Sequence, residues 1–209
     1  MPLITFEGID GSGKGTQIRL LRKRCQALGV DSTVFREPGG TLLSERVRPL
    51  LLDPALHVEP LAELLLFSAA RSQLCEEKIR PLLAEGAVVI LDRFYDSTVA
   101  YQGGGRQIGD FDWLSEFNRR VTGGLEPDRT YYLRVTLEVA ARRRRHREED
   151  RLESGGEAFF ERVEAAYERI ARENHDRVVS IDGNGPPEEV ADAVWKDART
   201  LIVPLEPGS

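Results

Sequence analysis

Gly8-Ile-Asp-Gly-Ser-Gly-Lys-Gly-Thr16 follows the apolar run Leu3-Ile-Thr-Phe6 and leads into a helical pattern from Gln17 to Leu28. The spacing Gly8-x4-Gly13-Lys14, set between a strand and a helix, marks a phosphate-binding loop. Its glycines let the backbone wrap close to phosphate oxygens. Successive N–H groups and the helix N-terminus then supply positive potential, and Lys14 adds a full charge at the β- and γ-phosphates. Gly8, Asp10, Gly11, Ser12, Gly13, Lys14, Gly15 and Thr16 are therefore the candidates to hold a nucleoside triphosphate. One position departs from the pattern: Gly15 stands where a magnesium-binding hydroxyl is usual, and Thr16 comes one place later. A Mg2+ ion would be held more by phosphates, water and carboxylates, with Asp10 and Asp92 available to reach it through water.

Outward from this loop, short β-branched runs alternate with longer helical patterns. Strands are expected at Ser32–Phe35, at the unbroken apolar run Ala87–Leu91, at Thr130–Val135 and at Arg177–Ile181. Helical spacing runs through Leu61, Leu64, Leu65 and Ser68, and then from Leu74 to Leu83 before Gly86. Residues 110–122, 136–148, 157–173 and 187–200 also read as helices. Strands alternating with helices predict right-handed crossovers and a parallel sheet covered on both faces. The 209 residues suit one α/β domain with a mobile lid. The net charge of −6 argues against general affinity for nucleic acid or anionic membranes. No apolar window approaches the about 18 residues of a membrane span, and no signal peptide is evident. Cys25 and Cys75 sit in polar helical contexts without metal-ligand spacing, and are expected as free thiols in a reducing cytoplasm.

Four segments in order carry a resemblance. They are Phe6–Lys14, then Arg36-Glu-Pro-Gly-Gly-Thr41 with Glu45–Leu52, then Leu91-Asp-Arg-Phe-Tyr-Asp-Ser97 running into Ala100–Arg106, and last Asp150-Arg-Leu-Glu153 after an arginine run. Together they resemble the thymidylate kinases. The resemblance implies a P-loop, nucleoside-monophosphate-kinase-like fold: a five-stranded parallel sheet flanked by helices, residues 1–209 as one domain, and a lid at about 141–156. It implies phosphorylation of dTMP to dTDP by ATP and magnesium, by direct in-line transfer, in dTTP biosynthesis, and a cytoplasmic homodimer without nucleic-acid or membrane partners. An acceptor phosphate with a second pKa near about 6 is already ionised at neutral pH, so no strong base is needed.

The resemblance assigns roles by position. Arg93 and Arg48 would grip the acceptor phosphate beside Asp10, although either arginine could instead form a surface ion pair. Phe67 would stack on thymine, unless it is core. Arg71 would reach a base carbonyl, with Ser97, Thr98 and Gln102 nearby. Tyr101 would pack against the sugar where a ribose 2′-hydroxyl would clash. Glu37 would face the acceptor, or simply belong to a rigid turn with Pro38.

The run Arg142-Arg-Arg-Arg-His-Arg147 has three readings: a solvated helix face, a nucleic-acid patch, or a lid that brings arginines to the triphosphate. Ser12 occupies the P-loop position where some family members carry a catalytic arginine. The lid should therefore supply that charge, with Arg142 expected at ATP and Arg147 and Arg151 beside Lys14, Arg93 and Asp10 in catalysis. The loop Asp182-Gly-Asn184 is a candidate for adenine. The alternatives are a nucleoside kinase with Glu37 as base, or a guanine-nucleotide switch; the Asn-Lys-x-Asp motif of the latter is absent.

Overall fold

The computed structural model describes residues 1–145, 151–152 and 155–203. Five strands, β1 (Leu3–Glu7), β2 (Ser32–Arg36), β3 (Val88–Asp92), β4 (Arg129–Arg134) and β5 (Val178–Asp182), form one parallel sheet in the order β2-β3-β1-β4-β5. The expected strands are all present, with ends shifted by about a residue, the usual uncertainty at element boundaries.

Alternation along each strand builds the two faces. Ile4 and Phe6 of β1 share one core with Val88 and Ile90 of β3 and with Tyr131 and Leu133 of β4. Helices α1 (Lys14–Ala27) and α9 (Pro187–Ile202) cover it through Ile18, Leu21, Val190 and Val194. Leu3, Val89 and Leu91 face the other way, under Leu74 and Ile79. Cys25 and Cys75 are free thiols but lie inside these cores, which corrects their expected polar setting.

The long helical pattern after Pro60 divides into α3 (Pro60–Leu74), a π-helical turn (Cys75–Ile79) and α4 (Arg80–Ala84). Helix α2 (Leu42–Leu52) precedes it, its first turn capped by Thr41 Oγ1, which accepts from Ser44 N at 3.1 Å. Three further stretches follow β3: the short α5 (Tyr95–Thr98), a second π-helical segment (Val99–Gly105) and α6 (Phe111–Val121). Helix α7 (Leu137–Arg144) carries the first three arginines of the run and α8 (Glu157–Glu173) comes after it; the remainder of the expected 136–148 helix beyond Arg145 lies outside the described residues.

Register places the site. Phe6 pairs with Asp92, and Asp92 with Arg36, so β1, β2 and β3 end level. The loops after them, Gly8–Gly13, Glu37–Gly40 and Arg93–Phe94, therefore converge at the carboxyl edge of the sheet, where open α/β sheets bind ligands.

Candidate active site

The P-loop follows β1 and opens α1. Gly11 has φ +88°, and a Cβ there would come within 2.6 Å of the Ala140 carbonyl oxygen on α7. Only glycine lets α7 lie this close to the loop. Lys14 Nζ donates to the carbonyls of Gly8 (2.9 Å) and Ile9 (3.2 Å). Burial, and then the charge of Arg93, push its ammonium pKa below the usual lysine value. The arginine that reaches this loop is Arg143: its Nη1 donates to Gly11 O (3.3 Å) and Ser12 O (3.4 Å), and its Nη2 to Gly183 O (2.9 Å). Arg142, the residue expected there, is exposed. Arg143 thus joins the P-loop to the Asp182–Asn184 loop, and Ser12, Gly13, Gly183 and Pro187 line a small cleft between them. Arg147 lies outside the described residues.

Arg93 follows the last residue of β3 in the left-handed region, with φ 73°. For a non-glycine residue this is a sparsely populated conformation, so the surroundings must hold it. Glu7, fully buried at the end of β1, does so: its Oε1 accepts from Phe94 N at 2.7 Å. Its Oε2 accepts from Ser97 Oγ (2.6 Å) and Tyr167 OH (2.9 Å). Both hydroxyls in turn accept from Arg93 Nη1, at 3.0 and 3.3 Å. Arg93 Nη2 donates to Asp10 Oδ2 (3.0 Å) and Tyr101 OH (3.2 Å). The guanidinium is therefore fixed on two edges before any ligand arrives. Burial, and next the charge of Asp96, raise the Glu7 carboxyl to about 7.

A second cleft opens beside Arg93. It is lined by all ten residues expected at the acceptor: Asp10, Glu37, Arg48, Phe67, Arg71, Arg93, Ser97, Thr98, Tyr101 and Gln102. Phe67 is half-buried on the cleft wall, not core. Arg71 is buried, its Nε on Glu37 Oε2 (2.7 Å), Nη1 on Thr98 Oγ1 (2.6 Å) and Nη2 on Phe94 O (3.1 Å). Burial raises the Glu37 pKa and Arg71 opposes this; the other oxygen, Oε1, is buried without a partner. Arg48 Nη1 donates to Pro38 O at 2.8 Å, which ties α2 to the Glu37 loop.

Arg151 stands on this side. Its Nη1 lies 2.7 Å from Glu63 Oε2, its Nε donates to Leu51 O (2.9 Å) and its backbone N to Leu52 O (3.2 Å). Leu152, which follows it, lines the acceptor cleft. Sequence reasoning missed Glu7, Tyr167, Glu63 and Arg143. The first three are joined to the site through tertiary contacts, and only Glu63 gave a local signal, as a charge within an otherwise leucine-rich helix.

The acceptor cleft and the P-loop cleft share Asp10, Glu37, Arg48 and Arg93. Asp92 lies with Lys14, Gly15 and Thr16 on the P-loop side. Asp10 and Asp92 offer hard oxygen donors on this cleft, and no cluster of three or more metal-binding side chains occurs among the described residues. That donor set fits a magnesium ion that keeps most of its water and phosphate ligands, not one caged by protein.

Comparison with known proteins gives the same answer. The family model for thymidylate kinase matches residues 6–194. A thymidylate kinase of Chlorobaculum parvum is 43% identical over 212 residues, covering 97% of this chain and 97% of its own. One from Caldanaerobacter subterraneus subsp. tengcongensis is 44% identical over 180 residues, covering 86% of each chain. The crystal structure of thymidylate kinase from Ehrlichia chaffeensis superposes with a TM-score of 0.78 at 36% identity, covering 95% of this chain and 98% of that one. With its P-loop cleft joined to a second cleft at Arg93, and with these relatives matching it along nearly its whole length, the chain belongs to the thymidylate kinase family.

Proposed function

We propose that this chain transfers the γ-phosphoryl group of ATP to the phosphate of dTMP, giving ADP and dTDP for dTTP synthesis. The observation that carries this reading is the pair of clefts meeting at Asp10, Glu37, Arg48 and Arg93. Two anionic ligands brought head to head repel each other, and preorganised positive charge at their junction offsets that repulsion. Arg93 is that charge, held on Asp10 and two tyrosine hydroxyls. Lys14 takes the β- and γ-phosphates with the loop amides of Gly8 to Thr16. Arg48 is the second grip on the acceptor.

On the nucleoside side, Phe67 stacks on the base, Arg71 donates to a base carbonyl, and Ser97, Thr98 and Gln102 complete the pocket. Tyr101 packs on the sugar. Bound Mg2+ would supply charge neutralisation between the phosphates, with Asp10 and Asp92 holding it through water. Arg143 brings positive charge to the P-loop that Ser12 does not provide, and Arg147 is assigned the same work in the lid at about 141–156. Arg151, expected in catalysis, is better placed to hold the acceptor side closed. Exclusion of water by that lid suppresses ATP hydrolysis.

We further assign a homodimer and a cytoplasmic location. Leu61 and Leu65 on α3 are 55% and 52% exposed, and Trp113 on α6 is 46% exposed. No helix among the described residues is long and apolar enough to cross a membrane.

An ADP-release assay with dTMP, thymidine, dUMP and dCMP tests the activity. Turnover is expected with dTMP and not with thymidine. Glu37, buried with a raised pKa and one unpartnered oxygen, is the group that would serve as base for a nucleoside hydroxyl. Turnover of thymidine without turnover of dTMP would favour that reading and reject this one.

A further inference from the structure

Glu63 is the charged residue of α3 that the activity leaves unexplained. It is fully buried. Its Oε1 accepts from Gln102 Nε2 (2.8 Å) and Arg106 Nε (3.4 Å), and its Oε2 from Arg106 Nη2 (3.3 Å), with Arg151 Nη1 2.7 Å away. Two guanidinium groups, whose nitrogens only donate, converge on this carboxylate and engage both of its oxygens as acceptors. The Gln102 amide therefore has no choice of orientation: its NH₂ group must face Glu63. A carbonyl turned toward Glu63 would set two acceptors against each other inside the protein, which is strongly unfavourable.

The consequence falls on the cleft. Gln102 lines the acceptor cleft with Arg71, and its remaining polar atom is the carbonyl Oε1. Arg71 has only donors. The wall thus presents a donor from Arg71 and an acceptor from Gln102. A pyrimidine edge with a carbonyl beside a ring N–H, as in thymine and uracil, complements this pair. Cytosine presents an amine beside an unprotonated ring nitrogen, the opposite polarity. We propose that Glu63 is a specificity-determining positioning residue: by fixing the polarity of the Gln102 amide, it selects a lactam pyrimidine over an aminopyrimidine. The proposal rests on the reading of this cleft as the dTMP site.

Glu63→Gln tests it. A glutamine at 63 can accept or donate, so Gln102 becomes free to turn over. The expected result is a fall of about tenfold in kcat/KM for dTMP with no fall for dCMP, as one directed base contact is lost. Glu63→Asp keeps an acceptor-only group; it should lower both acceptors together and hold the dTMP-to-dCMP ratio within about twofold. A mere packing role would instead move both acceptors together in both variants. An unchanged ratio in Glu63→Gln overturns the proposal, and so does a ratio lost equally in Glu63→Asp. If circular dichroism shows Glu63→Gln unfolded, Gln102→Leu carries the test. That variant should lower the ratio by the same factor, and an unchanged ratio there means Gln102 does not read the base. Failure of the wild type to turn over or bind dTMP at all is a different result, and it removes the cleft assignment itself.

Discussion

At the scale of single residues, the site is held by buried carboxylates that never touch solvent. Glu7 is the clearest. It spends both oxygens on the Arg93 turn and its supporting hydroxyls. Removing a carboxylate from water penalises its charged form, and Asp96 nearby adds to this, while Arg93, Ser97 and Phe94 act in the other direction. The outcome is a carboxyl raised from 4.5 to about 7. A carboxyl whose pKa is higher folded than unfolded binds more protons in the folded state across that window. Its contribution to stability is complete below the unfolded value and is lost as pH rises through the folded one. The total is at most on the order of 3 kcal/mol. Glu7→Gln removes this titration. The melting temperature of the wild type, measured relative to Glu7→Gln by circular dichroism, should therefore fall steadily between pH 4.5 and about 7 and level off above. A difference that stays flat across that range would show that Glu7 titrates normally.

At the scale of elements, the strands were legible because burial on both faces leaves a continuous apolar run, as at Val88–Leu91, and alternation does the rest. The P-loop was legible because its chemistry demands glycine and lysine at fixed spacing. The second π-helical segment was not. Gly103-Gly-Gly105 reads locally as a loop, and only tertiary contact explains why it is helical. A Cβ at Gly104 would lie 2.6 Å from the Ala166 Cβ and 2.9 Å from the Arg162 carbonyl oxygen, both on α8. The segment can coil against α8 only because it has no side chains there. That packing also carries Tyr167 of α8 to Glu7 and Ser97, a pairing across 160 positions that no local pattern reveals. Arg143 was missed for a related reason: in a run of four arginines, only the phase of α7 against the P-loop decides which one reaches the loop carbonyls. Gly104→Ala tests the first point. Overpacking of a tight helix contact costs about 1–3 kcal/mol, which for a chain of this size lowers the melting temperature by roughly 2–12 °C. Because Tyr101 and Gln102 share the segment, KM for dTMP should rise while KM for ATP stays within about twofold, since sites without shared partners respond independently. An unchanged melting temperature would mean that the helices separate without cost.

At the scale of the whole molecule, α3 has two opposed uses. Its inner side carries Phe67 and Arg71 to the cleft and Leu64 to the core that also contains Leu114 of α6. Its outer side leaves Leu61 and Leu65 half exposed, and α6 adds Trp113, stacked on Phe117 at 5.3 Å. Large apolar side chains left exposed on neighbouring helices mark an interaction surface, and a second copy of the chain is the partner assigned here. A stable interface covers about 1,200–2,000 Å² in total, and each leucine withdrawn from water contributes about 1.5–3 kcal/mol. Leu61→Glu with Leu65→Glu places two carboxylates on that surface without touching Leu64, Phe67 or Arg71. Sedimentation equilibrium should then show the mass of two chains for the wild type and of one chain for the variant. The monomer should keep its fold, because neither leucine belongs to a buried core. Its activity should change in one direction only. Freed on its outer side, α3 holds Phe67 and Arg71 less firmly, so KM for dTMP rises while KM for ATP, set by the P-loop across the sheet edge, does not. A variant that remains a dimer at the wild-type concentration dependence would put the interface on another face. A monomer whose two KM values rise together would show that α3 does not carry the effect.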